Sequence, residues 1–292
     1  MPGIIDLHCH TIASDGELSP EELVDLAIKK ELKAIAITDH DSLGSLKKAI
    51  DYSKGKNIEV IPGVEISSND LFYDFDKIDV VGLFVDYNNK SLANTIEYIN
   101  KKRDENKREV IKKLNNLGFK IDFNEVKKTV KGTFGRPHIA KFLLKKYPSE
   151  FSSIRDVFDK YIEKGKAAFV KPTEMPPIKD TIKIINKSNG ISILAHPGVY
   201  PKECSLKLIN HFIDMGGDGI ETYYPYHIIC PNLNLDEKGN NEMVAFYKDI
   251  ARYKNILEGG GGDYHGEYRF TLGELKIPDE ILSRIKNKLN IS

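Results

Sequence analysis

The chain has 292 residues, enough to bury a large core as one barrel-sized domain or as a domain carrying a sizeable insertion. Its 43 Lys and Arg residues balance 43 Asp and Glu residues, which leaves no net field for gripping long nucleic acid and favours a small or locally bound substrate. Cys9, Cys204 and Cys230 are too few and too scattered for a disulfide framework or a cysteine-based zinc site, and no stretch reads as a signal peptide or a membrane span, so a cytoplasmic protein without membrane association is expected.

In chain order, Ile4-Ile5-Asp6-Leu7-His8-Cys9-His10 begins as a buried strand. Strand side chains alternate faces, so His8 and His10 point one way and Cys9 the other. Two imidazoles at that spacing can grip one cation. Ser19-Pro20-Glu21-Glu22 starts a helix, with a capping Ser, Pro in the first turn and acids at the positive end, and Leu23, Leu26 and Ala27 supply its apolar stripe. Residues 34–38 form the next strand, which ends at Asp39-His40-Asp41, and residues 45–53 have helical character. A strand over 59–67 delivers Glu65, and 80–85 is a fourth.

From about residue 88 to 171 the texture changes to Lys, Asn and Glu, with Leu92, Ile96, Ile99, Val110, Ile111, Leu114 and Leu117 at helical spacing. This predicts a helical subdomain over 88–171, a lid, inserted between 1–87 and 172–292. Its charged run 101–108 reads as the solvated face of a long helix or as a basic rim that attracts phosphates. Strand and helix alternation resumes after Pro176: a helix over 178–188 stopped by Asn189-Gly190, a strand over 191–195 ending at His196-Pro197, a helix over 206–215, a strand over 219–224 leading into Pro225-Tyr226-His227, a helix over 241–253, and a strand from 255 running through glycines 259–262 into Asp263.

His10, His40, Glu65, His196, His227 and Asp263 all fall at or just past the C-terminal ends of predicted strands, and Asp263-Tyr264-His265 repeats the i, i+2 geometry of His8 and His10. In a parallel barrel those strand ends share one rim, where active sites are built. The fold class expected is therefore α/β.

Asp6-Leu7-His8-Cys9-His10, Ser14-Asp15-Gly16, Ile37-Thr38-Asp39-His40-Asp41, Gly63-Val64-Glu65-Ile66, Leu194-Ala195-His196-Pro197 and Gly262-Asp263-Tyr264-His265-Gly266 together resemble the polymerase and histidinol phosphatase (PHP) family of metallo-phosphoesterases. The resemblance runs from residue 4 to about 270 and implies a distorted parallel β/α barrel of about seven strands. Within the family, Gly135-Arg136-Pro137-His138 and Tyr223-Tyr224-Pro225-Tyr226-His227 are most similar to the stand-alone nucleotide phosphatases and small exoribonucleases. That branch is implied to remove the 3'-phosphate of nucleoside 3',5'-bisphosphates or to trim short RNA from its 5' end. Residue by residue, the resemblance implies one metal on His8, His10, Glu65 and Asp263, another on Asp15, His40 and His265, and a further one on Glu65 and His196. Asp79 stands where many relatives have His, so the last site either takes a harder metal or is weak. Two or three divalent ions are thus implied, Mn first, with Fe, Zn or Mg open.

Such ions lower the pKa of bound water and clamp phosphate oxygens, which is what phosphate ester hydrolysis requires. Glu65, with two carboxylate oxygens, is the natural bridge between ions, and Glu65, His196 and His227 are the catalytic candidates. Each metal-binding His should donate its other ring N–H to an acceptor, for which Asp6 and Asp39 are close in sequence. Arg136 is the candidate phosphate clamp, through paired guanidinium hydrogen bonds, or else it merely ends a loop. His138 and His227 could contact substrate phosphate or protonate the leaving oxygen, or be loop residues with backbone partners. Tyr223, Tyr224 and Tyr226 could stack a nucleobase or be half-buried packing. Glycines 259–262 could be flexible or admit a phosphate to backbone N–H groups. The partner implied is a small phosphorylated molecule, a nucleotide or short oligonucleotide. Two alternatives are a histidinol-phosphate phosphatase and, from another class, a non-catalytic metal-stabilised binding module.

Overall fold

The computed structural model describes residues 3–70, 75–130, 132, 134–171, 175–267 and 270–291. The chain divides into two compact units, Met1–Asn94 with Pro176–Ser292, and Thr95–Met175. Position 172, where the sequence pattern puts the second boundary, lies outside the described residues.

Among the described residues, eight strands form the sheet of the first unit: β1 (Ile4–Cys9), β2 (Leu32–Ile37), β3 (Glu59–Asp70), β4 (Phe75–Leu83), β5 (Ile191–Leu194), β6 (Gly219–Tyr223), β7 (Leu257–Gly260) and β8 (Ile277–Pro278). Their order is β7-β6-β5-β4-β3-β2-β1-β8. The seam is narrowed by the segment after β7, where Tyr264 forms a parallel bridge to Cys9 and exchanges backbone hydrogen bonds with His8 and His10. The expected barrel is thus present and nearly closed, with eight strands where about seven were expected, and mixed where it was expected to be parallel. β4 runs antiparallel to both β3 and β5, and β8 antiparallel to β1. That reversal has a chemical consequence: the start of β4, not its end, lies beside the second half of β3, so Asp79 pairs with Ser67 two residues beyond Glu65. The strand over 277–278 is too short to show a period in the sequence, whereas the helix after it buries Ile281, Leu282 and Ile285 at helical spacing.

The helices of this unit are α1 (Pro20–Lys29), α2 (Leu46–Ser53), the start of α3 (Lys90–Asn116), α7 (Ile178–Lys187), α8 (Lys202–Asp214), α9 (Tyr226–Ile229), α10 (Glu237–Lys254) and α11 (Glu280–Leu289). α1 begins in the capping box that Ser19 and Glu22 predict, with each side chain on the other's backbone N–H. Ile35 and Ile37 of β2 face Leu23, Val24, Ala27, Leu46 and Ala49 of α1 and α2, while Ala34 and Ala36 face an inner cluster with Ile5, Leu7, Ile61, Val81, Ile193 and Ile285. Small residues on the inner face let opposed strands approach.

β1 departs from strict alternation. Ile5 and Leu7 join the inner cluster, but Cys9 joins the outer one, because the step from Asp6 to Cys9 on β1 spans only Ile35 to Ile37 on β2. One extra residue is a bulge, and it re-aims the side chains beyond it. His8 and His10 thereby turn into the barrel mouth just above Leu7.

In the second unit, α3 continues and is followed by α4 (Phe123–Lys127), α5 (Arg136–Lys146), α6 (Ile154–Val157) and a π-helical turn, Phe158–Ile162. These elements bury a core of their own, including Val110, Leu114, Phe123, Val126, Leu143, Val157 and Ile162. Within the run 101–108, Lys107 is buried, the Arg108 guanidinium lies 3.6 Å from the Phe123 ring centroid, and Asp104 pairs with Lys127. No helix among the described residues is long and apolar enough to cross a membrane.

Candidate metal centre

β1, the loop after β2, β3, the turn after β5 and the loop after β7 bring their chemistry-bearing residues to one mouth of the barrel. Glu65 is at the centre and fully buried. Its Oε2 lies 3.2 Å from His8 Nε2, 3.4 Å from His10 Nε2 and 2.9 Å from His40 Nδ1, and its Oε1 lies 3.2 Å from His196 Nε2. Asp263 Oδ1 faces His10 Nε2 at 3.1 Å and His265 Nδ1 at 3.4 Å, and Asp15 Oδ1 faces His265 Nε2 at 3.2 Å.

Among the described residues, three groups have donor atoms that all lie within 4.8 Å of one another: His10, Asp15, His40 and His265; His8, His10, Glu65 and Asp263; and His40, Glu65 and Asp79. A divalent ion with bonds of about 2.0–2.2 Å has its ligand atoms no more than about 4.4 Å apart, so each group is close to the span an ion requires. His40 stands with Asp79 and Glu65 in the third group, and His196 meets the same Glu65 through the other oxygen. Asp79 is also held by Lys77 Nζ at 2.8 Å and by the Ser67 hydroxyl at 3.1 Å.

The electrostatics suit cations. Burial opposes charge on Glu65, yet His40 and His8 beside it hold its carboxyl well below the usual range. Asp263 is likewise held low by His10 and His8 against its burial. Burial, with His265 and His40 as like-charged neighbours, pushes His10 down to about 4, so its ring is neutral at pH 7 and offers a lone pair. His10 Nε2 is buried and makes no well-formed hydrogen bond to any described residue, although both carboxylates face it. Buried carboxylates compensated only by imidazoles, with a bare ring nitrogen between them, fit a divalent ion.

The supporting contacts differ from those expected. Asp6 and Asp39 were the expected acceptors for imidazole N–H groups, but both hold backbone and hydroxyl groups instead. Asp6 accepts from the backbone N–H of His8 and Gly262, and Asp39 from the backbone and hydroxyl of Thr11 and the hydroxyls of Ser14 and Ser45. His265 Nδ1 pairs with the Asp263 backbone carbonyl at 2.7 Å, and the acceptor for His8 is Glu221 of β6, 2.8 Å from its Nδ1. Sequence reasoning missed it, and the available signal was a lone carboxylate inside the apolar run Gly219-Ile220-Glu221. Tyr224 is buried and donates its hydroxyl to Asp263 Oδ2 at 2.8 Å, and Tyr226 is fully buried and accepts from the Gly198 N–H. These two tyrosines are packing residues, not stacking platforms. The glycines after β7 serve close approach: a Cβ at Gly261 would sit 2.3 Å from His8 Cβ and 2.4 Å from its backbone N.

Arg136 and His138 lie in the first turn of α5 in the second unit, where His138 Nδ1 accepts from the Gly135 N–H at 3.0 Å. His227 is the second residue of α9, beyond β6, with its backbone N–H on Asn240 Oδ1 and its Nδ1 buried without a hydrogen-bond partner among the described residues. None of the three belongs to a donor group.

Residues 6–169, more than half of the chain, match the PHP domain family. The chain is 32% identical to the 5'-3' exoribonuclease Rnm of Escherichia coli K12 over 90% of its own length and 85% of the relative's. It is 31% identical to the 3',5'-nucleoside bisphosphate phosphatase of Chromobacterium violaceum, covering 89% of this chain and 87% of that one. A crystal structure from Bifidobacterium adolescentis, designated by inference a metal-dependent phosphoesterase, superposes with a TM-score of 0.77 at 25% identity, covering 99% of this chain and 98% of that one. The chain therefore belongs to the PHP domain family and is a metal-dependent phosphoester hydrolase.

Proposed function

We propose that the chain hydrolyses a phosphate ester of a small nucleotide, with the 3'-phosphate of a nucleoside 3',5'-bisphosphate as preferred substrate and Glu65, His196 and His227 as catalytic residues. The observation that carries the hydrolytic part is the convergence of three donor groups that overlap in Glu65, His10 and His40. The substrate rests on the likeness, over about nine-tenths of the chain, to a bisphosphate phosphatase and an exoribonuclease. When bound, divalent ions supply an activated water and neutralise phosphate oxygens. The chain's own part is to hold them. Glu65 belongs to two of the groups, His8, His10, His40 and His265 would offer imidazole nitrogens, and Asp15, Asp79 and Asp263 would add negative charge. His196 keeps the second oxygen of Glu65 in place, and we assign the departing oxygen's proton to His227, whose Nδ1 is buried without a hydrogen-bond partner among the described residues.

A second reading, 5'-3' trimming of short RNA, is favoured by the 32% identity with the exoribonuclease. Both readings require phosphate ester hydrolysis near a nucleotide. Phosphate release from adenosine 3',5'-bisphosphate, 5'-phosphorylated short RNA and histidinol phosphate, each with Mn, Mg or Zn, tests them. The expected order of kcat/KM places the bisphosphate first. Preference for histidinol phosphate overturns the nucleotide assignment, and RNA in first place favours the second reading.

A further inference from the structure

Glu221 belongs to none of the donor groups, yet it is 1% exposed and both of its oxygens are engaged with residues of the centre. Its Oε1 lies 2.8 Å from His8 Nδ1, and its Oε2 accepts the backbone N–H of His196 at 2.7 Å. We propose that Glu221 is a positioning residue that sets the tautomer of His8 and holds the turn at His196. The inference rests on the reading of His8 as a metal ligand through Nε2, and deepens it.

An imidazole that gives one nitrogen to an ion is neutral and carries a single N–H on the other. With that proton on Nδ1 and donated to Glu221, Nε2 is bare, and Nε2 is the nitrogen that lies 3.2 Å from Glu65 Oε2 and 3.6 Å from Asp263 Oδ1. His196 has left-handed backbone angles, φ 30° and ψ 58°, which a residue with a Cβ adopts reluctantly. The carboxylate on its N–H holds that turn while its ring reaches Glu65. One side chain on β6 thus ties a ligand candidate on β1 to another just past β5.

Both partners are donors, so the residue at 221 must accept twice. A carboxylate does so, whereas a glutamine has one accepting oxygen and one donating NH2. In Glu221→Gln the amide oxygen takes the His196 N–H, which is always a donor. The NH2 then faces His8 Nδ1 and pairs with it only if the His8 proton moves to Nε2, which covers the nitrogen meant for the ion. A change of nearly equal size therefore acts through a proton's position.

Metal-stripped wild type and Glu221→Gln are compared by thermal melting, then titrated with Zn by calorimetry, and the Zn-loaded proteins are read by long-range 1H–15N NMR of the histidine rings. The variant should melt close to wild type and bind the ion at His8, His10, Glu65 and Asp263 about tenfold to a hundredfold more weakly. The equivalent at His10, Asp15, His40 and His265 should be retained. His8 should carry its proton on Nδ1 in wild type and on Nε2 in the variant. Unchanged Zn affinity in a variant that keeps the Nδ1 proton overturns the positioning role and leaves the metal centre standing. Wild type that takes no ion through His8 overturns the metal-centre reading and this inference with it. If the variant does not fold, the wild-type spectrum decides: a His8 proton on Nε2 overturns the inference, and one on Nδ1 supports it.

Discussion

Glu65 offers the sharpest quantitative test of the centre, because a single carboxylate contributes to two of the three donor groups and to none of the contacts that define the other. In Glu65→Gln the side chain keeps its size and loses its charge. Three imidazole nitrogens lie within 3.4 Å of Oε2 and a fourth within 3.2 Å of Oε1, so there is no room for water to replace what the oxygens do. A contact to a charged group is worth about 1.5–3 kcal/mol, and a contact to a metal no less. Each ion that Glu65 touches should therefore bind roughly tenfold to a hundredfold more weakly, at about 1.4 kcal/mol per decade. Titrating Mn or Zn into stripped protein, with retained equivalents counted by elemental analysis, should show every equivalent that involves Glu65 weakened and the His10, Asp15, His40 and His265 equivalent largely kept. Asp15→Asn should give the complementary result, weakening that one equivalent alone. If Glu65→Gln leaves all equivalents at wild-type affinity, or if Asp15→Asn weakens them all, the three-group description is wrong.

Chelation followed by dialysis should abolish phosphate release, and re-adding Mn, Mg or Zn separately should restore it to different extents; full activity in the stripped protein would contradict metal dependence. Lys77 occupies Asp79 Oδ2 at 2.8 Å and so competes with an ion there. Lys77→Ala should accordingly raise the affinity of the equivalent at His40, Glu65 and Asp79, by calorimetry, without altering the others. Gly63→Ala would place a Cβ 2.9 Å from Ile37 O and 3.0 Å from Gly82 O, both backbone atoms that cannot swing away. Overpacking of that kind costs about 1–3 kcal/mol, so the melting midpoint should fall by roughly 2–4 °C for each kcal/mol; an unchanged midpoint would show that β3 shifts freely.

Much of this architecture is written in local patterns. The apolar runs that lead into His10, His40 and His196 are found as strands at nearly those bounds, the run through Glu65 extends past the expected residue 67 to Asp70 and so places Glu65 within its strand, and Ser19 caps its helix as its residue type demands. Other features depend on partners far away in the chain. The bulge that turns His8 inward is set by the register of β1 on β2, and the reversal of β4, which brings Asp79 to Ser67, depends on pairing with β3 and β5. Glu221 pairs with a residue 213 positions away, and no window of sequence contains both. β8 has two residues, too few to show a period. Asp6 and Asp39 were expected to serve imidazoles because they are close to them in sequence, whereas their carboxylates are taken up by backbone N–H groups and, for Asp39, by hydroxyls as well.

The seam between the start and the end of the chain also orders events during synthesis. Gly262 donates its N–H to Asp6 across 256 positions, and Tyr264 bonds to the backbone of His8 and His10. A ribosome that has not yet delivered residues 261–265 holds a nascent chain with His8 and His10 but without Asp263 or His265, and with the first strand's outer edge unpaired there. Two of the three donor groups lack a member in such a chain. Contacts this distant in sequence form late. A growing chain, or one released by premature termination before residue 261, is therefore expected to take up ions poorly and to leave nearby phosphate esters intact until its final motif has emerged.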